Sequence, residues 1–471
     1  MKKLILIALL FCTSGLSQAH AQQKAKQPNV IVIVSDDAGY ADFGCYGGKE
    51  IPTPNIDALA KNGTLFTDAY VSASVCAPSR AGILTGMYQQ RFGFEHNISE
   101  LPVKPYTQND VGMDPKIKTI GDQMQHNGYR TIAIGKWHQG DLAQYFPLKR
   151  GFDEFYGFIG GHRNFFGYKG GKAPSNELAL YDNNKIVPEN TITYLTDMFT
   201  DKAISFVKEN KDKPFFMYLA YNAVHVPMNA KKELMDRFPN ITDPGRKAYA
   251  AMMTSLDDGV GALVKVLNAE KIYDNTLIIF INDNGAATGN YADNGKLRGL
   301  KGSKWEGGIR VAYIMQYPDQ IPAGKLYHKM VSALDIMPTA VGAGNGKLIS
   351  GQVTDGKNLI PYVNSSVKKA PHEDLFWRRG IAAAVRSGEK WKLIRSGDTN
   401  PVLLFNLKKD ISETKNLAKS HPAKVKKLMA KLENWEKTVD QPHWISPYGD
   451  HNQIMKHRME VIGREMELKY P

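Results

Sequence analysis

Five short apolar runs, most of them rich in β-branched residues, limit what this chain can fold into more than any other feature. They are 29–34 (NVIVIV), 129–134 (YRTIAI), 215–220 (FFMYLA), 276–281 (TLIIFI) and 309–314 (IRVAYI). Their near-continuous apolar character fits strands covered on both faces rather than strands with one wet face. Helical stretches lie between them. Residues 119–127 end at Gly128, a residue suited to the left-handed position after a helix. Residues 197–210 precede the third run, and 244–269 carry a long helix before the fourth. This alternation predicts an α/β domain with a large, mostly parallel central sheet flanked by helices.

The same frame predicts a site. Polar residues follow four of the runs: Asp36 and Asp37, then Lys136 and His138, then His225, then Asp283 and Asn284. Ligands of open α/β sheets bind beyond the carboxyl ends of the strands, so one sheet edge is expected to gather these groups. Asp36, Asp37, Asp283 and Asn284 offer only hard oxygen donors. Such a set favours Ca2+ or Mg2+ over Zn2+.

A smaller unit is expected over 365–471, after a catalytic domain over 22–364. Residues 375–377, 381–386, 391–394 and 402–406 read as short strands, with turn residues Ser387-Gly388 and Ser396-Gly397-Asp398 between them. Residues 422–439 read as an amphipathic helix with Val425, Leu428, Met429, Leu432, Trp435 and Val439 as its apolar stripe. A small antiparallel sheet with this helix packed on it is expected. The stretch from Gln441 onward carries no assignable pattern.

Residues 1–21 read as a secretory signal peptide. Met1-Lys2-Lys3 is the charged start, 4–11 the apolar centre and Ala19-His20-Ala21 the cleavage pattern. The segment is too short for a membrane span, and no other run is long and apolar enough for one. An exported protein, periplasmic or secreted, is expected. Cys12 leaves with the leader, since Phe11 before it does not suit lipid attachment. Cys45 and Cys76 remain, too few for a disulfide framework, and Cys45 reads as a free thiol. Loss of Lys2 and Lys3 lowers the formal charge from +13 to +11. A basic exported protein attracts polyanions. With no nucleic-acid motif present, nucleic acid is not the expected partner.

The chemistry is carried by Cys76-Ala77-Pro78-Ser79-Arg80 and its continuation through Leu84-Thr85-Gly86. This segment resembles the type I sulfatase signature C-x-P-S-R-x-x-x-L-T-G at every fixed position. Further segments resemble the same family, in its order. They are Ser35-Asp36-Asp37-Ala38-Gly39-Tyr40, Gly135-Lys136-Trp137-His138, Ala223-Val224-His225-Val226-Pro227 and Asn282-Asp283-Asn284-Gly285. Arg298-Gly299-Leu300-Lys301 and Glu306-Gly307-Gly308-Ile309-Arg310 follow, and Leu404-Phe405-Asn406-Leu407 with Asp410, Glu413, Asn416 and Leu417 completes the set. The resemblance is to the formylglycine-dependent, arylsulfatase-like enzymes of the alkaline phosphatase superfamily, and it covers most of the chain.

That resemblance implies that a maturation enzyme oxidises Cys76 to formylglycine, whose hydrate is the nucleophile. A serine would be left carrying a sulfate that is hard to remove. A hydrated aldehyde has two hydroxyls on one carbon. One attacks sulfur and expels the alcohol, and the other then collapses to the aldehyde and expels sulfate. The resemblance also implies Ca2+, with Mg2+ as the alternative, held by Asp36, Asp37, Cys76, Asp283 and Asn284. The cation lowers the diol pKa and offsets charge. By matching position, Arg80 holds the modified side chain, while Lys136 and Lys301 bind sulfate oxygens. His138 takes the second hydroxyl's proton, and His225 protonates or hydrogen-bonds the leaving alcohol oxygen. Pro78 fits the first turn of a helix that would aim N–H groups at the anion.

Gln139 stands where the family often has leucine and is expected to border the pocket. The loops Glu95-His96-Asn97 and Gly161-His162-Arg163-Asn164 make His96, His162 and Arg163 candidate sugar contacts. Residues 91–97 resemble sulfatases acting on galactose- or N-acetylgalactosamine-type glycans. The expected function is therefore hydrolysis of sulfate esters on a sulfated polysaccharide or oligosaccharide by an exported bacterial enzyme. The alternatives are a formylglycine-dependent phosphodiesterase or phosphonate monoester hydrolase and, from another class, a non-catalytic polyanion-binding protein with unmodified Cys76. Mass spectrometry of the tryptic peptide ending at Arg80 is expected to find the aldehyde or its hydrate in active protein. Full activity with only the free thiol present would refute the formylglycine reading.

Overall fold

The computed structural model describes residues 27–98, 101–397 and 402–445. The leader reading over 1–21, Cys12 and the tail beyond 445 lie outside the described residues.

Among the described residues, ten strands form the principal sheet. Its centre is a block of five parallel strands, in spatial order Thr276–Asn282, Asn29–Ser35, Phe215–Ala220, Arg130–Lys136 and Glu154–Phe158. Tyr313–Gln316 and Thr64–Phe66 add antiparallel pairings on one side, with Lys325–Tyr327 parallel beyond them. A small hairpin, Tyr181–Asp182 and Lys185–Ile186, closes the other side. The sheet is thus mixed, parallel where helices link its strands and antiparallel towards its edges.

The apolar runs have no polar face because both faces are buried. Val30, Val32 and Val34 lie in one core with Phe216, Tyr218, Leu277 and Ile279. Ile31 and Ile33 lie in the other with Met217, Leu219, Ile278 and Phe280. Helices Cys76–Thr85, Ile120–His126 and Ile336–Ala343 cover the first face. Pro54–Lys61, Leu195–Asn210 and Pro244–Ala269 cover the second. Each fully buried aliphatic side chain contributes about 1.5–3 kcal/mol. Local signals set the helix ends. Asp243 accepts from the Arg246 N–H at 2.8 Å, and Thr119 forms a reciprocal cap with Asp122. Gly128 sits at φ +83°, in the left-handed region expected of it.

The run at 309–314 departs from its expected form. The strand begins only at Tyr313, and Glu306–Ile309 is a short helix. The cause is a close backbone approach. Gly307 donates its N–H to the Arg298 carbonyl at 2.7 Å, and a β-carbon on Gly307 would lie 2.3 Å from the Gly299 carbonyl oxygen. The two glycine-containing motif segments zip together, and strand geometry resumes past them.

Four antiparallel strands, Asp374–Arg379, Ala382–Ser387, Trp391–Arg395 and Leu403–Asn406, form a second sheet. Helix Pro422–Glu436 packs on it through Leu428, Leu432 and Trp435 against Ala383, Val385, Leu393 and Leu404. A buried ionic group ties this sheet to the large one. Lys392 Nζ lies 2.9 Å from both Glu306 Oε1 and Glu413 Oε1. Glu413 also accepts from the Glu306 N–H at 2.7 Å, and the Tyr70 hydroxyl donates to Glu306 at 2.8 Å. Burial raises Glu306, but Lys392, Arg310 and Arg386 overcome it and hold the carboxyl at about 2. Burial, against the pull of Lys392 and with the help of Glu306, pushes Glu413 up to about 7.

A carboxyl raised on folding contributes its full stability below its unfolded value and loses it as pH rises through the folded value. Glu413→Gln stays neutral throughout. Its melting temperature relative to the unsubstituted protein is therefore expected to climb between about pH 5 and pH 8. A difference that stays flat over this range would contradict the assignment.

Candidate active site

The parallel strands decide where the polar residues meet. Asp36 and Asp37 directly follow Asn29–Ser35, and Asp283 and Asn284 directly follow Thr276–Asn282. Lys136 ends Arg130–Lys136, with His138 just beyond, and His225 lies on the loop after Phe215–Ala220. All four strands run the same way, so these groups share one sheet edge. Cys76 starts a helix whose ten residues are all buried, and the helix end meets the same edge. Backbone pairing fixes the loops. Asp36 and the 223–224 segment exchange two hydrogen bonds of 2.9 Å, and the Lys301 N–H donates to the Ala286 carbonyl at 2.8 Å. Asp37 (φ +62°) and His138 (φ +58°) occupy the left-handed region, which is uncommon away from glycine. Such strain, about 1–3 kcal/mol per residue, persists where the surroundings enforce it. At Asp37 the enforcing contact is the Asn290 amide, donating to its carbonyl at 2.8 Å.

The side chains form three buried ion pairs. Lys136 Nζ lies 2.6 Å from Asp36 Oδ2, Lys301 Nζ 2.7 Å from Asp37 Oδ1 and Arg80 Nε 2.9 Å from Asp283 Oδ2. Arg80 also reaches Asp36 at 3.5 Å and donates to the Lys136 carbonyl at 3.0 Å. The Asn284 amide nitrogen donates to Asp37 Oδ1 at 2.7 Å. Cys76 Sγ lies 2.8 Å from Lys301 Nζ, 3.6 Å from Asp36 Oδ1 and 3.9 Å from Asp37 Oδ1. His225 Nε2 lies 3.4 Å from Asp37 Oδ2, and its Nδ1 is 2.7 Å from the Val226 carbonyl.

Burial and neighbours set the protonation states. Burial raises Asp36 and Asp37, but the surrounding cations outweigh it and hold both below the usual carboxylate range. Burial and then Asp36 push Asp283 up to about 6 against Arg80, so the third carboxylate of the group is reluctant to ionise. Burial pulls His225 down to about 4 against Asp37 and Asp36. Burial, Lys136 and Arg80 push His138 well below its usual value. Both imidazoles are therefore neutral near neutral pH, and His138 Nδ1 has no hydrogen-bond partner. Burial pushes the Cys76 thiol up to about 12 despite Lys136 and Lys301.

A cavity of about 250 Å3 opens onto this cluster. Cys76, His138, His225 and Lys301 form its inner end, and Asn97, Asp141, His162 and Glu177 lie along its walls. The expected sugar-contacting residues fare unevenly. His162 lines the cavity, but three others do not. Arg163 is buried in an ion pair with Glu189 at 3.0 Å. His96 is fully buried, packs at Arg379 and lies beside a different cleft. Gln139 is also buried, and its amide donates to the Ala77 carbonyl at 3.0 Å and the His138 carbonyl at 2.7 Å. It fastens the Cys76 helix to the His138 loop. Each loop does reach the cavity, through a neighbour: Asn97 for one, Gly161 and His162 for the other. Trp444 holds the first loop, its indole N–H donating to the Asn97 carbonyl at 2.9 Å.

The helix end also differs from expectation. The Ala77 N–H is taken by Asn97 Oδ1 at 3.3 Å, the Ser79 N–H by the Val75 carbonyl at 3.1 Å, and Pro78 has none. The helix offers its dipole rather than a row of donors, and the positive groups facing the cavity are side chains. Asp141 and Glu177 escaped the sequence reading because no motif marks them. The only available signal was the position of Asp141, three residues past His138 on the same strand-end loop.

Donor atoms of Asp36, Asp37, Cys76 and His225 all lie within 4.8 Å of one another, a group able to hold a metal ion. Two observations fit a divalent cation there. Three carboxylates converge with one of them resisting ionisation, and the buried Asn284 Oδ1 has no hydrogen-bond partner. A dication relieves both.

Comparison with known proteins agrees with this arrangement. The sulfatase family model matches residues 28–346. Arylsulfatase J of Mus musculus is 29% identical over 88% of this chain and 76% of its own length. The N-acetylgalactosamine-6-sulfatase of Canis lupus familiaris is 31% identical over 75% of this chain and 69% of its own length. The crystal structure of Ps i-CgsB, also solved in complex with k-i-k-neocarrahexaose, superposes with a TM-score of 0.82 at 39% identity, covering 95% of this chain and 100% of that one. The expected α/β architecture, with its small antiparallel sheet, is the one these relatives share. With the signature cysteine at the floor of a charged cavity on such a fold, the chain belongs to the sulfatase family and is a sulfuric ester hydrolase.

Proposed function

We propose that this protein removes sulfate from a sulfated carbohydrate, using Cys76 as formylglycine and Ca2+ or Mg2+ held by Asp36, Asp37, Cys76, Asp283 and Asn284. The observation that carries this reading is the position of Cys76, at the wall of the cavity and within reach of Asp36, Asp37 and Lys301. The hydrated aldehyde supplies two hydroxyls on one carbon, and the cation supplies positive charge beside them.

The chain's own residues do the rest. Lys301 and Lys136 hold positive charge where sulfate oxygens would sit, in a buried setting that strengthens it. Arg80 orients Asp283 and Asp36 and adds charge beneath the nucleophile. His138, which lines the cavity beside Cys76, is assigned to accept a proton during sulfate release. His225, in the same cavity, is assigned to the leaving alcohol oxygen. An anionic ester beside it raises its proton affinity, which favours donation.

A carbohydrate substrate is supported by the oligosaccharide bound to Ps i-CgsB and by the N-acetylgalactosamine-6-sulfatase relatives. Both favour a galactose or N-acetylgalactosamine unit. The formal charge of +13 suits a sulfated polymer. No helix among the described residues is long and apolar enough to cross a membrane, and the leader pattern over 1–21 supports export to the periplasm or medium. The maturation partner would be a formylglycine-generating enzyme.

Cys76→Ser has one hydroxyl where the hydrate has two. It is expected to release at most one equivalent of alcohol from a sulfate ester and to become sulfated, as seen by intact-protein mass spectrometry. Sustained turnover would overturn the nucleophile assignment. For the cation, Ca2+ added to chelator-treated protein is expected to raise the melting temperature by mass action, and Asp283→Ala to abolish the rise. Identical melting of the unsubstituted protein with and without Ca2+ and Mg2+ would remove the metal from the proposal.

A further inference from the structure

The cavity has two electrostatic halves. Its inner end carries Lys301 and Cys76, with Lys136 and Arg80 behind them. Its wall carries Asp141 and Glu177. Acidic groups are an odd choice in a pocket that must admit an anionic ester, unless they serve the rest of the substrate.

Neither carboxylate forms an ion pair or side-chain hydrogen bond among the described residues, although every carboxylate of the inner end does. Their backbone is anchored. Glu177 sits on the short turn Asn176–Leu178, whose Glu177 carbonyl accepts from the Gly160 N–H at 2.7 Å. Asp141 follows Gln139, which is fastened to the Cys76 helix, and Gly140, which pairs with Gly112. The two acids influence one another, for partial burial and then Glu177 push the Asp141 carboxyl up to about 6. Ile98 and Leu178 add apolar surface to the same cavity. His138, only 7% exposed, lines it too, between the two halves.

We propose that Asp141 and Glu177 determine specificity. They accept hydrogen bonds from free hydroxyls of the sugar that carries the scissile sulfate, and they turn away a second sulfate or a carboxylate on that ring. The sugar in the cavity is then a neutral hexose unit bearing one sulfate, whatever the charge of the polymer beyond it. Ionised acceptors make the stronger hydrogen bonds to hydroxyls. Like charges placed together are the efficient way to reject a competitor. This inference rests on the sulfatase reading above.

The test uses positional monosulfates of methyl galactoside, the corresponding disulfates and para-nitrophenyl sulfate. The unsubstituted enzyme is expected to prefer a monosulfate to any disulfate. Asp141→Ala and Glu177→Ala are each expected to raise KM for that monosulfate by about tenfold or more, the loss of a hydrogen bond to a charged group. The same variants are expected to lower KM for the disulfates and for para-nitrophenyl sulfate, which has no ring hydroxyls to lose and an anionic charge to be repelled. Asp141→Asn and Glu177→Gln should restore part of the monosulfate binding without restoring exclusion of the disulfates. Equal losses on all three substrate types would indicate a structural role and overturn the inference, as would no change on any of them. Hydrolysis of para-nitrophenyl sulfate but of no galactoside monosulfate by the unsubstituted enzyme would also overturn it while leaving the sulfatase reading intact. No hydrolysis of any sulfate ester would instead strike at the sulfatase reading itself.

Discussion

Three carboxylates and three cations share one buried sheet edge, and the rest of the structure answers to that constraint. Unpaired, any of these charges would be costly in the interior. Paired as Lys136–Asp36, Lys301–Asp37 and Arg80–Asp283, they are tolerated, yet Asp283 still resists ionisation. The pairs need partners from five separate stretches of chain, so strand order, loop pairing and the Cys76 helix must all be correct before the group can close. The left-handed Asp37 and His138 are the local cost of aiming those side chains.

The family motifs divide between chemistry and cohesion. Cys76, Arg80, Lys136 and Lys301 surround the cavity floor. Glu306, Arg310 and Glu413 belong to equally specific motifs but never reach the cavity. With Lys392 and Tyr70 they form the buried bridge between the two sheets. Gly307 serves the same end, since a close backbone crossing leaves no room for a side chain there. The small sheet therefore acts on the site indirectly, through the elements it steadies. The segment after its helix does likewise, as Trp444 holds the loop that delivers Asn97.

Specificity is arranged apart from the reacting groups. The cations lie at the inner end, whereas Asp141, Glu177, Asn97 and His162 come from loops that border the opening. Loops can change without disturbing the parallel strands, so a loop-built wall is free to change while the strand-end floor is kept.

Residue type and spacing alone determined the parallel strand block, the gathering of Asp36, Asp37, Lys136, His138, His225, Asp283 and Asn284 at one edge, and the resemblance built around Cys76. The reason is that side-chain burial on both faces forces apolar runs, and polar residues at strand ends then have one place to go. Most strand and helix limits in the small unit followed from the same periodicity. Only the tertiary structure decided which loop residues face the cavity. His96, Gln139 and Arg163 carried the expectation, yet they are buried in internal hydrogen bonds or ion pairs, whereas Asn97, Asp141 and Glu177 line the cavity. Irregular backbone has no period from which orientation can be read. Likewise, the start of the strand at Tyr313 depended on a backbone contact that folds the 299 and 307 segments onto each other, and apolar periodicity does not encode such a contact.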